Sequence, residues 1–127
     1  MSAPKCFEEL EAWLAARELT NRIYAVCREG ALARDFGLRD QVQRAAVSVM
    51  SNIAEGFESR YLAEKQQAYS YARRSCGEVR SLSYVLGDNG FVTTDEQREI
   101  LAMCIRAGKL VSGLMRSLKH RIDPHPE

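Results

Sequence analysis

The stretch DQVQRAAVSVMSNIAEG, residues 40–56, decides the fold. Val42, Ala45, Val49 and Ile53 recur in it at steps of three and four, the period of one face of an α-helix rather than the alternation of a strand. Leu38 extends the series backward, and Gly56 follows the last periodic residue, where a helix commonly stops. The polar residues are as regular as the apolar ones. Gln41, Arg44, Ser48, Asn52 and Glu55 keep the same spacing and so form a stripe of their own along one side of the helix.

The same period continues on both sides. Leu10, Trp13, Leu14, Thr20, Ile23, Tyr24 and Cys27 predict a helix over about 8–28, closed near Gly30. Leu62, Tyr69, Ala72, Cys76, Val79 and Leu86 predict a long helix over about 61–86, ended by the turn-forming run Gly87, Asp88, Asn89, Gly90. Ile100, Cys104, Ala107, Val111, Leu114 and Leu118 predict a fourth over about 94–121, opened by a capping box from Thr94 to Gln97. With the second helix over about 38–56, four long helices joined by short loops favour antiparallel neighbours. The expected fold is therefore all-α: a single-domain, antiparallel, up-down-up-down four-helix bundle over residues 1–122, with 123–127 a disordered tail.

Composition agrees with that class and narrows the function. A chain of 127 residues fits one domain that can bury a core without staples, and Pro4, Pro124 and Pro126 leave its interior free of helix breakers. The amino terminus lacks the apolar segment of a secretory signal, and no run approaches the roughly 20 apolar residues of a membrane span, so a cytoplasmic protein without a membrane partner is expected. Cys6, Cys27, Cys76 and Cys104 form no C-x-x-C pair, and His120 and His125 sit only at the carboxyl end. Neither a metal site nor a disulfide framework is indicated; Cys27, Cys76 and Cys104 fall on apolar faces and read as reduced core thiols. No cofactor fingerprint is present.

Two helices carry more apolar surface than one bundle seam needs. At about 100° per residue, Val47, Met50 and Ala54 form a second apolar face on the helix over 38–56, beside its core series. On the first helix Ala12, Ala16, Leu19, Ile23 and Val26 flank the Trp13 and Tyr24 side. Apolar residues gathered into a patch outside a core mark an interface, so Val47, Met50, Ala54, Leu19 and Ile23 are candidate oligomer contacts; the alternative is a mild, alanine-rich surface on a monomer. The polar stripe between the faces would hold helix register, with Ser75, Glu78 and Arg73 or Arg74 as partners. A catalytic cluster of Glu55, Arg44 and Asn52 lacks a nucleophile or an activated base.

The block Leu38, Asp40, Gln41, Arg44, Ala45, Ala46, Ser48, Asn52, Ile53, Ala54, Glu55, Gly56 closely resembles the D-Q-x-x-R-A-A-x-S-x-x-x-N-I-A-E-G signature of a bacterial four-helix bundle family. That family was first noticed as open reading frames in intervening sequences of large-subunit ribosomal RNA genes, and accessory variability proteins of diversity-generating retroelements belong to it. Phe7, Leu10 and Trp13 are similar to its F-x-x-L-x-x-W opening, and Ala72, Ser75 and Glu78 to its third-helix motif. The resemblance spans about 7–118. It implies a small antiparallel bundle assembled as a ring-like homopentamer, with no enzymatic activity established for the family at large. For the retroelement members it implies binding to a reverse transcriptase and to nucleic acid through a basic surface. Arg74 departs from that pattern, standing where a small residue is expected, and so does the near-neutral net charge of +1.

Two functional readings follow. Between Ile100 and Ile122 the fourth helix carries Arg106, Lys109, Arg116, Lys119 and Arg121 and no acidic residue. Arg106, Lys109, Gly113, Arg116 and His120 share a face opposite the core series, and repetition around a ring would multiply the phosphate contacts such a face can make. This favours a non-enzymatic homo-oligomeric module binding RNA or DNA, or a nucleoprotein. The second reading is a protein-interaction scaffold, to which the neighbouring Ile105 would suit an apolar contact.

Overall fold

The computed structural model describes residues 3–122, and side chains through Lys119. Four helices dominate it: α1, Glu11–Cys27; α2, Phe36–Glu58; α3, Leu62–Asp88; and α4, Thr94–Ile122. Short 3-10 turns, Phe7–Glu9 and Gly30–Arg34, precede α1 and α2, and no strand occurs among the described residues. The expected tail, 123–127, lies outside them.

Each helix packs on two neighbours: α1 on α2 and α4, and α3 on α2 and α4. Side-chain pairs set the direction. Gln41 meets Glu78 while Ser48, further along α2, meets Ser75, earlier in α3. Likewise Arg73 reaches Ser112 and Ser83 meets Gln97, and Glu11 faces Arg106 while Arg22 faces Glu99. Each register rises on one helix and falls on the next, which gives the antiparallel up-down-up-down bundle that the short loops predict.

The core has two halves. Leu19, Ile23, Leu32, Val42, Val79, Leu86 and Ile100 fill one, and Val49, Ile53, Tyr69, Ala72, Ala107 and Val111 the other. Val42, Ala45, Val49 and Ile53 all face inward, so the spacing that predicts α2 also identifies its buried side. A fully buried Leu or Ile contributes about 1.5–3 kcal/mol relative to an exposed one, so the core series dominates the energetics of each helix. Thr20 is buried between α1 and α2, and its hydroxyl donates toward Ala16 O (2.8 Å) and Ala46 O (3.1 Å). The buried hydroxyl is thereby satisfied and ties the two helices together.

α3 runs two residues past Leu86, through Gly87 to Asp88, and helix ends differ from expectation in three further places. First, α1 starts at Glu11, because residues 7–9 form a separate 3-10 turn. Secondly, α2 begins two residues before Leu38, where Asp35 caps it by accepting from Leu38 N (3.2 Å), and it continues past Gly56 to Glu58. Gly56 is no terminator. A Cβ there would lie 2.5 and 2.7 Å from ring carbons of buried Tyr69, so glycine admits the close approach of α3. Termination comes instead from polar groups: Ser59 N and Oγ bond Glu55 O, and the Lys65 ammonium donates to Gly56 O (3.2 Å) and Phe57 O (2.7 Å). Thirdly, the capping box of α4 is Thr93 with Glu96, one residue earlier than Thr94 with Gln97. Thr93 Oγ1 accepts from Glu96 N (3.1 Å), and Glu96 Oε1 accepts from Thr93 N (2.8 Å). Gln97 is thereby free to turn inward and donate to Ser83 O on α3 (3.1 Å).

Candidate functional site

Two surfaces answer to the residues singled out in the sequence. The first is the seam between α2 and α3. Ser48 and Ser75 bring their hydroxyl oxygens to 2.8 Å, and Asn52 Nδ2 donates to Ser48 O (2.9 Å) and Ser48 Oγ (3.0 Å). One turn or more away, Gln41 Nε2 reaches Glu78 Oε2 at 3.5 Å. Three members of the stripe therefore face α3, whereas Arg44 and Glu55 are exposed on the outer side of α2. Of the expected partners, Ser75 and Glu78 are in place. Arg74 turns instead over the Tyr71 ring (5.6 Å), and Arg73 leaves for α4.

The hydrogen bonds of this seam join α2 to α3. The hydrogen bonds of the two serine hydroxyls end on each other and on the Asn52 amide, and Arg74 and Glu78 border the same hollow. Polar groups spaced this way fix the register of two antiparallel helices, because a slip of one residue would leave half-buried hydroxyls and amides without partners.

The second surface spans α3 and α4. Arg73, Cys76, Gly77 and Arg80 from α3 and Cys104, Ile105, Gly108 and Lys109 from α4 line a notch of about 180 Å³. The Arg73 Nε donates to Ser112 Oγ (3.1 Å), and its guanidinium passes beside Gly108, where a Cβ would stand 3.4 Å from its Nη1. At the floor, burial pushes the Cys76 thiol up to about 11; burial and the neighbouring Cys76 together push Cys104 up to about 12. Both stay protonated and neutral near pH 7, so they leave the positive charge above them uncompensated.

The basic residues expected from α4 occupy its outer side. Lys109, Arg106 and Arg116 are exposed, as is Lys119; the side chain of Arg121 lies outside the described residues. Arg106 pairs with Glu11 of α1 at 3.9 Å, an exposed contact that solvent screens and that leaves the guanidinium available. Arg80, Lys109 and Arg116 have no carboxylate within salt-bridge distance among the described residues. Beside Lys109, on the α1 side, Ala102, Ile105 and Leu110 form an apolar floor to a wider hollow bounded by Glu11 and Arg106.

Sequence reasoning that took α4 alone missed half of this surface. Arg73 and Arg80 complete it, and Tyr84, 48 % exposed, stands one turn beyond Arg80. The signal was present: Arg73, Gly77, Arg80 and Tyr84 follow at steps of four, three and four on α3, a single face with no acidic residue. It was hidden because neither helix alone is strongly basic, and only their pairing puts the cations together.

The candidate oligomer contacts divide. Leu19 and Ile23 are fully buried within the single chain, where α1 meets the core, and have no area left to give a neighbour. Their assignment is corrected: the α1 face of Ala12, Ala16, Leu19, Ile23 and Val26 is the one that packs into the core, while Leu14 and Tyr24 of the series expected to be buried are exposed and Trp13 is half-buried. Met50 is half-buried and packs against the core, Ala54 is half-buried, and Val47 is 37 % exposed on the outer side of α2.

Among the described residues no group of three or more histidine, cysteine or acidic side chains is placed to hold a metal, and no helix is long and apolar enough to cross a membrane. Among curated proteins, none matches the sequence. The family model described as 23S rRNA-intervening sequence protein matches residues 8–113, from the turn before α1 to the last third of α4. That span takes in the Ser48, Asn52 and Ser75 seam and most of the basic surface, so the chain belongs to the 23S rRNA-intervening sequence protein family.

Proposed function

We propose that this protein is a non-enzymatic, homo-oligomeric binding module for nucleic acid, and that the α3–α4 surface makes the contacts to phosphate. The observation that carries the reading is the run of Arg73, Arg80, Lys109 and Arg116 across two packed helices with no acidic side chain among them, one of its guanidiniums already held by Ser112 and Gly108. A held guanidinium loses less rotamer freedom on binding than a free one. A net charge of +1 over the chain does not oppose this, since phosphate binding depends on local cations and on how many engage together. Ring-like assembly, as a pentamer, would repeat the surface and raise avidity without any new contact.

Charge reversal tests it. With Arg80, Lys109 and Arg116 all changed to Glu, binding of short RNA and DNA strands, followed by fluorescence anisotropy, is expected to disappear while helicity and assembly size stay unchanged. For the unaltered protein the affinity should fall as salt rises, with a logarithmic slope of roughly −0.7 to −0.9 per phosphate neutralised. Little sequence preference is expected, because stacking on an aromatic such as Tyr84 accepts any base. Absence of binding by the unaltered protein at low salt overturns the reading.

The apolar floor of Ala102, Ile105 and Leu110 favours a second reading, a scaffold for a protein partner. Binding of that kind would persist at high salt, which separates the two.

A further inference from the structure

The notch between α3 and α4 differs from the hollow on the α1 side of Lys109 in being more enclosed and in the convergence of its cations. Arg73 and Arg80 come from one wall and Lys109 from the other, and no acidic residue takes part in its lining. Arg73 donates through its Nε to Ser112 and lines the notch beside Gly108, which leaves its terminal nitrogens for a ligand. Arg80 and Lys109 have no carboxylate to satisfy them among the described residues. Three cations around one recess floored by neutral thiols make a site for concentrated negative charge.

The shape restricts what can enter. At about 180 Å³ the notch is small, with room for a terminal phosphate and the first atoms attached to it. A strand passing through would have to enter and leave the recess with a sugar on each side of the phosphate, and its diester would bring a single charge to three cations. A chain end brings nearly two.

We propose that the notch is a phosphomonoester site, occupied by the phosphorylated end of a nucleic-acid strand or by a small phosphorylated metabolite. With the strand end as source the inference rests on the nucleic-acid reading above; with a free phosphate compound it stands without it.

Full-length protein is titrated with 3′-labelled ten-nucleotide strands bearing a 5′-phosphate, a 5′-hydroxyl or a 5′-methylphosphate diester. In parallel, adenosine monophosphate, adenosine and inorganic phosphate are titrated by calorimetry. The 5′-phosphorylated strand is expected to bind about tenfold more tightly than the other two, the gain from one charge-assisted contact set. Arg80→Gln and, separately, Lys109→Gln should erase that difference. Arg116→Gln, outside the notch, should weaken all three strands equally, and thermal melts confirm that each variant is folded.

Equal affinity for the three strands, with no preference for adenosine monophosphate over adenosine, overturns the phosphomonoester site and leaves the nucleic-acid reading standing. Preference for the monophosphate with no strand bound supports the site with a metabolite as its source, and overturns the nucleic-acid reading instead. If a glutamate-rich peptide competes as well as the phosphorylated strand, the notch is a general anion patch and the proposal falls.

Discussion

Gly56 shows how one atom decides the distance between two helices. It lies inside α2, where glycine costs about 1 kcal/mol relative to alanine, so local propensity alone argues for Ala. Tyr69 reverses that preference. Its ring, 4 % exposed, occupies the place of the missing Cβ, and neither the ring nor the α2 backbone can withdraw without opening the core around Ile53 and Ala72. Overpacking of this kind costs typically about 1–3 kcal/mol. Gly56→Ala is therefore expected to lower stability by roughly 1–2 kcal/mol after the propensity gain, read as a lower urea midpoint with an unchanged slope. A variant as stable as the parent would show that Tyr69 turns aside. The sequence marked Gly56 correctly as special and gave the wrong reason for it, since a glycine that stops a helix and one that admits a neighbour look alike until the neighbour is known.

At the scale of the element, the periodic series are the legible part. Every member of the Val42 to Ile53 and Ile100 to Val111 series is buried, because a 3.6-residue repeat puts them on one face of the helix, whereas α1 has apolar residues on two sides and its Leu14 and Tyr24 stay exposed. Helix ends are less legible, since several residues compete for each cap. Thr93 and Thr94 both stand three before a residue able to reach back, Glu96 and Gln97, and the structure selects the pair with the carboxylate. An acid in the first turn also faces the positive end of the helix, which an amide does not, and choosing it leaves Gln97 to bind Ser83 O. Thr93→Ala is expected to cost about 1 kcal/mol, whereas Thr94→Ala should lie within about 0.5 kcal/mol of the parent. Thermal melts measure both; equal losses would mean that the cap slides between the two threonines. The basic surface was half legible for a related reason: one helix can be read by itself, but a notch needs the register of two.

At the scale of the whole molecule, the proposed assembly needs a face of the chain that can meet a second copy. The polar seam and the α3–α4 notch lie on either side of α3, and the outer side of α2 stands away from the notch across the bundle, so an assembly built through α2 would leave the α3–α4 basic surface uncovered. Met50 is a poor probe of that arrangement. It is half-buried against Val49 and Ile53 within the chain, so a charge there would damage the fold and the contact together. Val47 separates them. At 37 % exposed, flanked on the outer side of α2 by Arg44 and Ser51, it tolerates a glutamate in the isolated bundle, and the new carboxylate would sit one turn from the Arg44 guanidinium. Inside a subunit contact the same carboxylate would be desolvated, at a cost of several kcal/mol unless it is paired there. Val47→Glu is therefore expected to reduce the assembly measured by light scattering to smaller species while leaving helicity and the monomer's melting cooperativity intact. An unchanged assembly would place the contact elsewhere. If the parent protein itself scatters as a monomer, phosphate affinity would have to come from one copy of the surface alone, and the salt slope should then correspond to no more phosphates than that copy has exposed cations, Arg73, Arg80, Arg106, Lys109, Arg116 and Lys119 among them.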